Sequence, residues 1–173
     1  MHPTADELSA LRHELHELLR DRRVVVMGVG NDARGDDGFG VRVAERIDDQ
    51  IAATVFVTFD LPEDYAVKAA DLGPDIVLVL DAADFGGEPG QARLIRAEEI
   101  PPTPGVTHRP SLEMLARFLK LDAGAETWVL GVQPHLERVG LGDEMSQPVG
   151  RAVEELAPML VELLSSDPVP ADE

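Results

Sequence analysis

The 173-residue chain contains no cysteine, which excludes a disulfide framework, a thiolate zinc site, iron–sulfur ligation and a cysteine nucleophile. Lysine is nearly missing as well, with Lys68 and Lys120 its only two copies. Against 33 acidic residues stand only 15 basic ones, for a net charge of −18. Such a field repels phosphate backbones and acidic lipid surfaces, so neither a nucleic-acid nor a membrane partner is expected. The composition fits a GC-rich genome or a salt-adapted source and does not separate the two. Long apolar runs are absent: Ile76 to Leu80 falls far short of the roughly 20 residues of a membrane span. The polar N-terminus has no signal-peptide core, and a cytoplasmic protein is expected.

What is present suffices for a globular core, with 44% hydrophobic and 28% charged residues, and the length suits one domain. Thr4 and Glu7 have capping-box spacing, and Leu8, Leu11, Leu15, Leu18 and Leu19 then recur with helical period, which predicts a helix over 5–21. Short apolar runs at 23–28, 54–60, 75–81 and 127–132 read as buried strands. Helical patterns lie between them: one running to about residue 51 with Asp36 as its cap, one over 64–72, and a third with Ser111 as its N-cap. Residues 91–96 make a weaker strand, and Pro101, Pro102, Pro104 and Gly105 oppose regular structure. Pro148 is placed to open a last helix, in which Pro158 predicts a kink. Residues 1–22 thus read as a helical extension, 23–165 as a single α/β domain and 166–173 as an acidic tail. Apolar strands alternating with helices imply a largely parallel sheet covered on both faces, with ligands at the carboxyl ends of the strands.

The chemistry should therefore lie in the turns after the strands. Gly28-x-Gly30-x-x-Ala33 with Asp60 imitates a dinucleotide fingerprint, yet Asp32, Asp36 and Asp37 would set carboxylates against a pyrophosphate. The plain alternative is a tight turn, in which Asn31 orients the backbone. Asp81 ends the third strand, and if the first and third strands are neighbours, Asp37 and Asp81 flank one crevice. Singly, a strand-end aspartate is a loop cap; two converging ones suggest more. His108 precedes the third helix and could bring an imidazole over that crevice, or could serve a loop carbonyl. His2, His13 and His16 fall in the N-terminal segment, and His135 lies in an irregular crossing. Two carboxylates and an imidazole suit a borderline divalent ion such as zinc or nickel. Neither a nucleophile elbow around Ser111 or Ser146 nor a His-Glu-x-x-His motif is present.

Gly28-Val29-Gly30-Asn31, then Asp36-Asp37-Gly38 and Gly40-Val41, resembles the N-terminal signature of the hydrogenase maturation endopeptidases. Val79-Leu80-Asp81-Ala82, Thr107-His108 and Gly131-Val132-Gln133-Pro134 follow in that family's order, so the resemblance spans about 23–165. It implies a three-layer α/β/α sandwich around a five-stranded mixed sheet of order 2-1-3-5-4, with residues 91–96 as an antiparallel fourth strand. It also implies a protease that removes the C-terminal extension from the nickel-loaded large-subunit precursor of a nickel–iron hydrogenase. The substrate-held nickel would be the recognition element, and no organic cofactor would be needed. By position, the family's metal-contacting and catalytic side chains fall on Asp37, Asp81 and His108; the general base is not assigned, with Asp36 or Asp37 as candidates. A monomer is expected. The segment over 5–21 precedes the point where family members begin, and Arg109-Pro110-Ser111 follows the histidine. Three rivals stand beside this reading: a non-catalytic metal-sensing or chaperone module for the precursor, a nucleotide-binding oxidoreductase, and a general metallopeptidase.

Overall fold

In the computed structural model, residues 4–100, 109–140 and 142–165 are described. The predicted proline-rich loop, His108 and the acidic tail lie outside them.

The strands β1 (Val24–Val29), β2 (Thr54–Phe59), β3 (Ile76–Ala82), β4 (Ala92–Arg96) and β5 (Glu126–Val132) form one sheet of order β2-β1-β3-β5-β4. All neighbours are parallel except β4, which runs antiparallel to β5. Among the described residues, five α-helices cover it: α1 (Ala5–Leu19), α2 (Phe39–Ile47), α3 (Ala66–Asp71), α4 (Arg109–Ala123) and α5 (Gln147–Leu164). Because side chains alternate along a strand, the central strands feed two cores at once. Val26, Leu78, Leu80 and Leu130 pack with α1, α2 and α5 on one face. On the other, Val25, Met27, Val77, Val79 and Val129 pack with α3 and α4. Covered on both faces, β3 is buried along its whole length.

The N-terminal helix opens on the predicted capping box: the Thr4 N–H donates to Glu7 Oε2 at 2.6 Å and the Glu7 N–H to Thr4 Oγ1 at 3.2 Å. Leu11, Leu15 and Leu19 then join the same core as α2 and α5. The second helix is shorter than its pattern predicts, ending at Ile47, because Asp48 and Asp49 supply no further apolar face and Gln50 turns back to the Ile47 carbonyl at 2.9 Å. Ser111 is not an N-cap. The helix α4 begins at Arg109, with Pro110 in its first turn, where the missing N–H costs nothing; Ser111 Oγ instead donates to Glu63 Oε1 at 3.3 Å. The last helix begins at Gln147, with Pro148 in its first turn, and runs through Pro158.

Candidate active site

The sheet order makes β1 and β3 neighbours, with β2 on the far side of β1, so the chain reverses direction across the sheet between β1 and β3. Ligands in open α/β sheets gather at this crevice. Asp37 follows β1 in a 3-10 turn, Gly35–Gly38, and Asp81 lies near the carboxyl end of β3. Both are buried.

Gly30 lets the Asp37 turn fold back onto the end of β1. Its φ is +129°, and a Cβ there would fall 1.9 Å from the Asp37 carbonyl oxygen and 3.9 Å from Asp81 Oδ1. Only a residue without a side chain admits the Asp37 main chain at this distance. The close approach that a dinucleotide fingerprint reserves for pyrophosphate is taken here by the main chain of Asp37. Asn31 completes the turn as predicted: its N–H donates to the Asp37 carbonyl at 3.1 Å, and its Oδ1 accepts from the Ala33 N–H at 3.0 Å. Its Nδ2 donates to Asp60 Oδ2 at 3.4 Å. Gly40 sets the depth of the following helix, since a Cβ there would fall 1.9 Å from the Leu80 carbonyl oxygen and 2.4 Å from that of Val29. The start of α2 therefore rests directly on the backbones of β1 and β3.

The expectation that Asp36 caps the second helix is corrected. Gly38 precedes α2, and no side chain caps it. Asp36 is fully buried and reaches across to the segment after β5. Its Oδ1 accepts from the Ser146 N–H at 2.7 Å; its Oδ2 accepts from Ser146 Oγ at 2.8 Å and from the His135 N–H at 2.8 Å. A carboxylate can take all three because it accepts only, and such charge-assisted bonds are the strong ones. The turn carrying Asp37 is thereby tied to the N-terminus of α5.

A second clamp holds the loop after β3. The buried Gln133 amide accepts from the Phe85 N–H at 2.9 Å and the Gly87 N–H at 3.1 Å through Oε1, and donates to Asp84 Oδ1 at 3.0 Å through Nε2. The sequence motif around Gln133 pointed to this position, though not to its task. Among the described residues, no group of three histidine, cysteine, aspartate or glutamate side chains is placed to hold a metal ion. The third member of the predicted set, His108, lies outside those residues. None of the described helices is long and apolar enough to cross a membrane.

The profile of the hydrogenase maturation protease family matches residues 62–163. The chain belongs to this family. It is 37% identical over 134 residues to the hydrogenase 3 maturation protease of Escherichia coli, covering 75% of this chain and 83% of that one. Its fold matches the crystal structure of a nickel–iron hydrogenase maturation protease from Thermococcus kodakarensis with a TM-score of 0.78 and 33% identity, over 88% of this chain and 99% of that one. The solution structure of an Escherichia coli endopeptidase of the same type matches with a TM-score of 0.65 and 29% identity, over 87% and 98% of the two chains. The maturation-protease enzyme class and the mixed sheet of order 2-1-3-5-4 both agree with the sequence-based expectation.

Proposed function

We propose that this protein removes the C-terminal extension from the nickel-loaded large-subunit precursor of a nickel–iron hydrogenase, and that nickel held by the precursor is what it recognises. The observation that supports this most is the burial of Asp37, in the turn after β1, and Asp81, near the carboxyl end of β3, at the switch point of the sheet. In this reading the metal arrives as part of the substrate. Asp37 and Asp81 offer oxygen donors to it and His108 a nitrogen donor, a mixed set that suits a borderline divalent ion. No organic cofactor takes part.

Hydrolysis requires a water oxygen to add to the scissile carbonyl carbon, the C–N bond to break, and the leaving amine to gain a proton. A carboxylate in the crevice can take the water proton, and a cation near the carbonyl oxygen can stabilise the charge that develops there. The three hydrogen bonds on Asp36 favour a positioning role for it over that of base, which leaves Asp37 the better candidate. Loss of the extension then lets the large subunit close over its metal, so cleavage acts as a checkpoint for nickel loading. A monomer in the cytoplasm suffices for this work.

The test is the intact mass of the precursor, nickel-loaded and nickel-free, after incubation with the protein. Loss of a C-terminal peptide from the loaded form alone is expected. Equal cleavage of both forms would contradict nickel recognition. Binding without any change of mass, in a precursor known to be competent, would make the protein a sensing module or chaperone.

A further inference from the structure

We infer that Phe59, with Leu61 beside it, is an apolar anchor for the stretch of precursor polypeptide next to the scissile bond, an inference that rests on the function proposed above. Phe59 has a φ of +52°, a left-handed backbone that a bulky side chain rarely adopts. Among the described residues the other non-glycine case is Asp21, and aspartate tolerates that region through local hydrogen bonding. The turn itself has no need of an aromatic residue. It is made by main-chain groups and Thr58: the register between β1 and β2 slips so that Val29 pairs with Phe59, Thr58 Oγ1 donates to the Gly28 carbonyl at 3.2 Å, and the Leu61 N–H donates to the Thr58 carbonyl at 3.2 Å. Glycine would meet all of these demands without strain.

The strain therefore has to be explained by the ring. It is 47% exposed, and Leu61 is 53% exposed, so neither residue is held there by burial. The position is the informative part. The Phe59 carbonyl accepts from the Gly30 N–H at 3.0 Å, and the Gly30 backbone packs directly on the main chain of Asp37. A strained aromatic residue thus stands at the carboxyl end of β2, its main chain bonded to the Gly30 segment that follows β1. Backbone strain of this kind concentrates at functional sites, and a half-exposed aromatic residue at the ligand-binding edge of a sheet suits an anchoring contact for polypeptide. On a surface that is otherwise strongly acidic, an apolar lip selects for apolar residues flanking the cut. Exposed Val67, Met114 and Leu121 lie on helices α3 and α4 and have no such strain.

The experiment is steady-state cleavage of the nickel-loaded precursor by the wild type, Phe59→Gly and Phe59→Leu, with thermal unfolding of each. Phe59→Gly should unfold at the wild-type temperature or above it, yet raise KM for the precursor about tenfold with kcat within twofold. Phe59→Leu should recover most of the KM. Phe59→Asn repeats the test with another residue that tolerates the left-handed region, should the glycine variant fold poorly. Unchanged KM in a folded Phe59→Gly or Phe59→Asn protein would overturn the anchor while leaving the protease intact. A fall in kcat alone would also overturn it, since that outcome belongs to the turn and its support of Asp37. A wild-type protein that leaves the loaded precursor uncut would overturn the proposed function itself.

Discussion

Two loops border the crevice, and they are held in different ways by the same segment. The turn after β1 is pinned through its own carboxylate, Asp36, to His135 and Ser146. The loop after β3 offers main-chain N–H groups to an amide, Gln133, which belongs to the other partner. In both cases the stretch following β5 is the mould against which the site is cast. A charged acceptor cannot be exchanged for an amide without turning a donor toward a donor, whereas a neutral amide tolerates some readjustment. The first clamp should accordingly be stiffer and less tolerant of change.

The largest effect should come from the acids of the crevice itself, Asp37 in the turn after β1 and Asp81 near the end of β3. Asp81→Asn and Asp37→Asn are each expected to lower cleavage of the loaded precursor by 100-fold or more while retaining the far-ultraviolet circular dichroism and unfolding temperature of a folded protein. Next in size is Asp36→Ala, which leaves the buried Ser146 N–H and the part-buried His135 N–H without their acceptor; a loss of roughly 3 kcal/mol in urea unfolding is expected. Asp36→Asn should recover only part of it. Gln133→Ala should cost about 1–2 kcal/mol and should speed amide hydrogen exchange at Phe85 and Gly87 while sparing the turn after β1. Equal effects of Asp36→Asn and Gln133→Ala on that turn would erase the distinction between the clamps.

The smallest effect lies away from the site and marks the background against which the others are read. The Asp75 carboxylate accepts from the Arg23 N–H at 2.8 Å. That bond, helped by the Arg23 guanidinium and opposed by partial burial, holds its pKa below the ordinary value of 3.8. A depressed carboxyl pKa contributes stability above the unfolded-state pKa and loses it as pH falls through the folded-state value. Asp75→Asn should therefore flatten the stability profile slightly below about pH 4 and leave cleavage at neutral pH unchanged. Urea midpoints across that range measure it.

Much of the fold was legible because its signals are local. Apolar strand runs, the Thr4 and Glu7 box and Pro148 each act within a few residues, and each appears where its pattern placed it. The strand order came from the family resemblance, since periodicity does not say which strands are neighbours. Asp36 was misread for a physical reason: its partners lie 99 and 110 residues away, and only the folded sheet brings them to it. Ser111 was misread because a proline in the first turn, Pro110, was a stronger start signal than a serine after it. The left-handed backbone of Phe59 left no local mark at all, because glycine or asparagine would have been expected there.

The central claim is that the crevice around Gly30 cuts the precursor. Its most direct test is the intact mass of nickel-loaded precursor incubated with the wild type and, in parallel, with Asp81→Asn of verified fold. The account predicts loss of a C-terminal peptide with the wild type and an unchanged mass with the variant. Cleavage by Asp81→Asn at the wild-type rate would contradict it.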